Sequence, residues 1–75
     1  MLKKISGKEC VKILCNKFGF STIRQKGSHV VLKKELDSGS KIGTVVPLHN
    51  ELKLGTIRAI LDQAKIPEEE FAKFT

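Results

Sequence analysis

The sequence predicts an α+β fold in which helices cover one face of a three-stranded antiparallel sheet, in the order α-β-β-β-α with a short extra helix at the C-terminal end. Two stripes of apolar residues with the period of an amphipathic helix lie near the two ends of the chain. Between them, three runs rich in β-branched residues are separated by turn-forming clusters. The second face of the sheet is expected to be open to solvent.

The first helix is predicted between Ser6 and Gly19. Its apolar stripe consists of Cys10, Val11, Leu14, Cys15 and Phe18. Ser6 is expected to cap the N-terminus of the helix, with Glu9 completing a capping box, and Gly19 is expected to end it. Ile13 lies off the stripe and is expected to be exposed.

The three strands are predicted at residues 20–25, 29–32 and 42–46. Lys26-Gly27-Ser28 forms the turn of the first hairpin, and Pro47 ends the third strand or confines it to an edge. Side chains alternate across a sheet, so Val30 and Leu32 are assigned to the covered face, and His29 and Lys33 to the open one. A bulge near Gly27 would reverse that assignment.

The second helix is predicted from apolar residues at helical spacing, and a short terminal helix follows it. The stripe consists of Ile57, Ile60, Leu61 and Ala64. Arg58 and Asp62 stand four apart and are expected to pair. Pro67 is expected in the first turn of the terminal helix, whose three glutamates suit the positive end of its dipole. Phe71 and Phe74 are expected to dock this helix on the rest of the fold.

Length and charge limit the functions open to the chain. Its 75 residues permit one small domain, spanning 1–75, and exclude a two-domain nucleotide-binding enzyme. No apolar run approaches the length of a spanning helix or a signal peptide, so we expect a soluble, cytoplasmic protein. The net charge is +6, with +8 over residues 1–58 and −2 over residues 59–75. A nucleic acid is therefore a candidate partner, although a merely soluble basic surface explains the same total.

The spacing of the cysteines and histidines does not predict a metal site. Cys10 and Cys15 are five residues apart on one helix, about 140° round its axis, so they are expected neither to bond nor to share a metal ion. The two histidines are twenty positions apart, with no carboxylate cluster beside them. We expect no metal and no cofactor.

The segment Lys26-Gly27-Ser28-His29 combines groups that suit cleavage of RNA without a metal ion. Glycine exposes backbone N–H groups, lysine attracts phosphate, and an imidazole transfers a proton near neutral pH. In that reaction a base removes the proton of a ribose 2′-hydroxyl, whose oxygen attacks the neighbouring phosphorus. The products are a 2′,3′-cyclic phosphate and a 5′-hydroxyl. An ordinary surface histidine is the alternative interpretation.

Three segments together resemble the HicA (YcfA-like) family of mRNA interferase toxins. They are Gly27–Leu32 (GSHVVL), Val45–His49 (VVPLH) and Glu51–Leu61 (ELKLGTIRAIL). The resemblance extends from the Ser6-Gly7-Lys8 opening to the Glu70-Phe71 tail. It implies a double-stranded-RNA-binding-domain-like fold and a toxin that cleaves mRNA. It also implies a HicB-type antitoxin as the protein partner.

The resemblance assigns the catalytic role to His29, with Gly27 and Ser28 matching the residues before it in the family motif. His49 matches a second histidine of the family pattern, for which a structural hydrogen bond and acid catalysis are both open. Arg24, Lys26 and Lys33 are the candidates for gripping phosphates around the scissile bond.

Two other functions remain open at this stage. One is a non-catalytic RNA-binding module on the same fold, which would bind RNA without cutting it. The other is a basic docking surface for an acidic protein, with nucleic acid playing no part. Because the chain has neither Trp nor Tyr, we expect little base stacking and a weak sequence preference in either RNA-directed function.

Overall fold

A computed structural model describes residues 2–75; Met1, the first residue of the predicted domain, lies outside the described part. The elements confirm the predicted α+β order and the double-stranded-RNA-binding-domain-like arrangement. They are α1 (Gly7–Phe18), β1 (Ser21–Lys26), β2 (His29–Glu35), β3 (Lys41–Pro47), α2 (Leu54–Ala64) and α3 (Glu68–Ala72).

The three strands form one antiparallel sheet in the order β1-β2-β3. β2 is longer than predicted and continues to Glu35. Its last three residues are charged and give no apolar signal, yet they pair with β3, where Lys33 lies opposite Gly43 and Glu35 opposite Lys41. Pairing with a neighbouring strand, rather than the local pattern, sets this boundary.

The hydrophobic core lies between one face of the sheet and the two longer helices. Val30, Leu32 and Val46 project from the sheet into it and are buried. The buried residues of the helices are Cys10 and Leu14 of α1 and Ile57, Ile60, Leu61 and Ala64 of α2. Thr44 is the buried polar residue of this face, and its hydroxyl donates to Oε1 of Gln63 at 2.7 Å, which joins β3 to α2.

The ends of α1 follow the sequence prediction in most respects. The Ser6 hydroxyl accepts the Glu9 N–H at 3.0 Å, and Gly19 ends the helix in the left-handed region at φ 75°. The return bond of the predicted capping box, from the Glu9 side chain, is not formed within residues 2–75. The expected exposure of Ile13 is wrong, because this side chain is half-buried and packs against the core.

α3 packs on the C-terminal end of α1 through aromatic rings. Phe71 is fully buried and its ring stacks on Phe18, with the centroids 6.1 Å apart. Phe74 meets the same ring edge-on at 5.6 Å but stays 43% exposed, so it docks only in part. Pro67 precedes the helix as its N-cap instead of lying in its first turn.

The predicted pairing of Arg58 with Asp62 is wrong. Arg58 Nε instead donates to Oε1 of Glu68 at 2.9 Å. Lys65 is the C-cap of α2 and adopts a left-handed conformation at φ 58°, and the chain then turns back so that the start of α3 lies beside α2. A contact between two helices thus replaces the pairing along one helix.

Within residues 2–75, no helix is long and apolar enough to cross a membrane.

Candidate active site

The first hairpin turns through two residues, Gly27 and Ser28, between the paired residues Lys26 and His29. Gly27 has φ 59°, whereas Ser28 does not have a positive φ, as in a type II′ turn with glycine at its first position. Nε2 of Gln25 donates to the Gly27 carbonyl at 3.0 Å. The turn that precedes His29 is therefore held by a side chain of β1 as well as by the strand pairing.

His29 begins β2 and lies on the open face of the sheet. It is exposed, while the next residue, Val30, is only 6% exposed and packs in the core. No hydrogen bond engages the His29 side chain within residues 2–75. Its imidazole is accordingly accessible to a large substrate from the solvent side.

A β-bulge interrupts β1 on the far side of two of the predicted cations, Arg24 and Lys26. The pairing of β1 with β2 shifts between Thr22 and Arg24, so Ile23 is the extra residue and Arg24 lies opposite Val31. Arg24 and Lys26 are two residues apart and share the open face by simple alternation from the hairpin turn; without the shift, Thr22 instead of Ser21 would lie opposite Lys33 on that face. The bulge lies at Ile23, not near Gly27, and leaves the alternation of β2 intact.

Arg24, Lys26 and Lys33 thus share the open face with His29, and all three are exposed. No salt bridge within residues 2–75 engages any of them. The face therefore presents three cationic side chains together with an exposed imidazole, an arrangement suited to an anionic substrate such as a phosphodiester.

Ser28 connects the hairpin to the segment that follows β3. Its carbonyl accepts the Leu48 N–H at 2.6 Å, and the next carbonyl along that segment, of His49, accepts the Gly7 N–H at 2.9 Å. The hairpin turn, the end of β3 and the start of α1 therefore meet at one end of the molecule. The Gly27 and Ser28 side of the turn is exposed, and a Cβ on Gly27 would meet nothing within 4 Å.

His49 lies at this end of the molecule, but beside α1. It lines a shallow hollow of about 400 Å³ together with Ser6, Lys8, Leu48 and Asn50. The main-chain carbonyl of His49 accepts the Gly7 N–H, and no hydrogen bond engages its exposed imidazole within the described chain. The structure does not bring His49 onto the open face with His29.

Two residues that support the site were missed by the sequence prediction. Gln25 holds the turn, and nothing in the strand pattern indicates that its side chain folds back on Gly27. At Gly7, a Cβ would collide with the Pro47 carbonyl oxygen and lie 2.8 Å from Leu48 Cα. The absence of a side chain at Gly7 therefore allows α1 to approach the end of β3. The glycine directly after the N-cap residue Ser6 was the sequence signal that could have indicated this close approach.

The cysteines lie away from this face. Both are free thiols, and Cys10 is fully buried. Burial raises the pKa of the Cys10 thiol to about 12, so the group is protonated at neutral pH and unsuited to nucleophilic attack. Within residues 2–75, no three His, Cys, Asp or Glu side chains are grouped so that they could hold a metal ion.

Comparison with known protein families gives a match over most of the chain. A family model described as the HicA toxin of bacterial toxin–antitoxin matches residues 7–66, a span that contains the hairpin, the whole sheet and both longer helices. Comparisons with curated proteins and with solved structures give no significant match.

Proposed function

The chain belongs to the HicA toxin family of bacterial toxin–antitoxin systems, and from this premise we propose that it is a ribonuclease toxin that cleaves mRNA with His29 as its catalytic residue. The observation that carries the proposal is the set of residues that share the open face with His29. An exposed imidazole follows a glycine turn, with Lys26 beside it, Arg24 in the next row of the face and Lys33 one row further, and no acid is paired to any of these cations in the described chain.

In the proposed reaction, His29 removes the proton of a ribose 2′-hydroxyl. The 2′-oxygen then forms a bond to the adjacent phosphorus, and the bond from phosphorus to the 5′-oxygen breaks. The departing 5′-oxygen takes a proton from solvent, which reaches this exposed face freely, and the imidazolium returns its proton to water. The products are a 2′,3′-cyclic phosphate and a 5′-hydroxyl, and the reaction requires no metal ion.

The cationic groups have a separate role in this proposal. Negative charge builds up on the non-bridging phosphate oxygens in the transition state, and Arg24 and Lys26, in the strand beside His29, are suited to stabilise it. Gly27 and Ser28 provide the exposed backbone N–H groups of the turn. His49 faces the hollow beside α1, so we assign it a contact with RNA outside the reacting bond and no proton transfer.

Membership of this family implies a HicB-type antitoxin as the partner. We propose that the antitoxin inhibits the toxin by covering His29. The open face of the sheet is accessible without any rearrangement of the chain, so a protein that occupied it would exclude RNA directly.

The test is an RNA-cleavage assay with purified protein in excess EDTA. The wild type is expected to cut single-stranded RNA, leaving 2′,3′-cyclic phosphate ends, and to leave DNA of the same sequence intact because DNA lacks the 2′-hydroxyl. His29→Ala should lose about 10²- to 10⁴-fold in rate, the usual contribution of a general base. Equal rates for the two proteins would refute the role of His29, and cleavage abolished by EDTA would refute metal independence.

One observation favours a second candidate function, a non-catalytic RNA-binding module. No described side chain forms a hydrogen bond with His29, whereas general bases are commonly oriented by another group. The same assay separates the two functions, because a binding module shifts RNA on a native gel at low salt and cuts none of it.

A further inference from the structure

The open face of the sheet can be described as rows of residues that lie side by side across the strands. The row at the hairpin end consists of Lys26, His29 and Pro47, and the next of Arg24, Val31 and Val45. The third consists of Ser21, Lys33 and Gly43, and the last of Glu35 and Lys41. Successive rows are about 7 Å apart along the strands, so the face extends about 20 Å from His29 to Glu35.

Acidic side chains are nearly absent from this face of the sheet. The four rows contain four cationic side chains and a single carboxylate, Glu35. The other seven acidic residues of the chain lie on the helices, in the turn after β2 or in the loop before α2. These are Glu9, Asp37, Glu51, Asp62, Glu68, Glu69 and Glu70. The positive charge of the face thus continues well beyond the surroundings of His29.

The centre of the face is apolar and flat. Val31 and Val45 lie opposite each other, and Val45 is 43% exposed, which is high for a valine in a sheet. Gly43 carries no side chain, and a Cβ there would lie 3.4 Å from Cγ of Lys33 and 3.9 Å from its Cε. The Lys33 stem therefore extends across Gly43 toward the β3 edge, where Lys41 begins the same strand.

We propose that the RNA substrate binds as a single strand along the whole open face, from His29 at the hairpin end to Lys41 at the far end. This proposal rests on the ribonuclease function proposed above and adds the path of the RNA and a binding residue, Lys41. Lys33 and Lys41 bind phosphates two to three rows away from the scissile bond, while sugars and bases lie over Val31 and Val45. The helix-covered side of the protein takes no direct part.

The chemistry of the reaction favours a single strand over a duplex. Attack by the 2′-oxygen requires the 2′-oxygen, the phosphorus and the 5′-oxygen to come into line, and a regular A-form helix holds them out of line. A single strand can adopt the required geometry at His29 while its neighbouring phosphates stay bound to the lysines. The side chains of this face are mainly those of lysine, arginine and valine, which suit recognition through the backbone more than through base edges.

The test measures how the affinity for RNA depends on salt concentration, in proteins that all carry His29→Ala so that the RNA stays intact. The probe is a fluorescent single-stranded RNA of about 12 nucleotides. The logarithm of the binding constant falls linearly with the logarithm of the salt concentration, and each lost phosphate contact reduces the magnitude of this negative slope by about 0.7 for a single strand. Replacing both Lys33 and Lys41 by Gln should therefore reduce that magnitude by about 1.4.

A matched control removes the same charge from the helix layer, with Lys12→Gln and Lys53→Gln at two exposed positions of α1 and the start of α2. Its slope should stay at the parent value. Two results would overturn the proposed RNA path: a control pair that reduces the magnitude of the slope as much as the open-face pair does, or an open-face pair that leaves the slope unchanged. The second result would favour a protein partner as the occupant of the open face.

Cleavage by the wild-type protein, with His29 intact, is scored separately. If the wild type cleaves RNA but the open-face pair leaves the slope unchanged, the path alone is refuted. If the open-face pair reduces the slope but the wild type cleaves no RNA, the ribonuclease function alone is refuted.

Discussion

The two faces of the sheet are made by alternate residues of the same strands, yet they differ in almost every physical respect. On the covered face, Leu32 is fully buried and packs between the helices and the sheet. One residue away on the open face, Lys33 is exposed and forms no salt bridge within the described chain. In this small domain, stability therefore depends on the covered face of the sheet and, in our proposal, chemistry depends on the open face.

The largest effect on stability is expected on the covered face. Leu32→Ala removes a fully buried side chain and leaves a cavity, so the free energy of unfolding should fall by about 2–5 kcal/mol. Lys33→Ala, its neighbour on the open face, should change that free energy by no more than about 0.5 kcal/mol. Urea denaturation followed by circular dichroism measures both. Similar losses in the two variants would show that the faces share the stability.

The buried thiol provides a second test of how tightly the covered side is sealed. Burial raises the pKa of the Cys10 thiol from 9.0 to about 12, so at pH 8 its thiolate fraction should be about a thousandfold below that of an unperturbed thiol. Alkylation by iodoacetamide, followed by mass spectrometry, should label Cys15 before Cys10 in native protein and both in guanidinium. Equally fast labelling of Cys10 in native and denatured protein would contradict a sealed core.

The same thiol gives the direction of a pH effect on stability. Below pH 9.0 the thiol is protonated in both the folded and the unfolded chain, and it leaves the free energy of unfolding unchanged. As the pH rises from 9.0 toward 12, the unfolded thiol loses its proton first, and folding is disfavoured. Cys10→Ala should therefore flatten this alkaline decline, which urea titrations across that range would measure.

A pair of glycines tests how the covered side supports the site. Ala at Gly7 would place a Cβ against the Pro47 carbonyl, so α1 must move away from the end of β3, at a cost of about 1–3 kcal/mol. Gly55 has open space around its Cβ position, and Gly55→Ala should leave stability unchanged or raise it by up to about 1 kcal/mol. Thermal unfolding compares the two. Equal melting temperatures would mean that the approach of α1 to β3 is not constrained.

A modest loss of stability is expected from a substitution in the hairpin turn. Gly27 has φ 59° and nothing near its Cβ position, so Gly27→Ala should cost about 1 kcal/mol through backbone strain alone. Gly27→Asn should cost less, because Asn tolerates a left-handed backbone. RNA cleavage should fall further in Gly27→Ala than the loss of folded protein explains, since the turn orients His29. A rate that simply follows the folded fraction would contradict that role.

The features that repeat locally could be predicted from the sequence. Alternation along β2 assigned His29 and Lys33 to the open face, and the glycine turn set the start of the strand. Both follow from a few neighbouring residues whose side-chain directions are fixed by strand geometry. The stop of α1 at Gly19 was predictable for the same reason.

Features that depend on distant contacts could not be predicted. The bulge at Ile23 has no glycine or other local signal, yet it places Ser21, and not Thr22, opposite Lys33 on the open face. The pairing of Arg58 with Glu68 depends on where α3 packs, and the position of Lys41 in the last row depends on the register between β2 and β3. In each case the deciding neighbour lies in another element of the fold.

The proposed division between the two faces is tested most directly by two measurements on one His29→Ala preparation: its rate of RNA cleavage in EDTA and its free energy of unfolding. We predict a rate at least about a hundredfold below wild type, with a free energy of unfolding within about 0.5 kcal/mol of wild type. An unchanged rate, or a loss of rate matched by a loss of folded protein, would contradict the division between a face that stabilises and a face that cleaves.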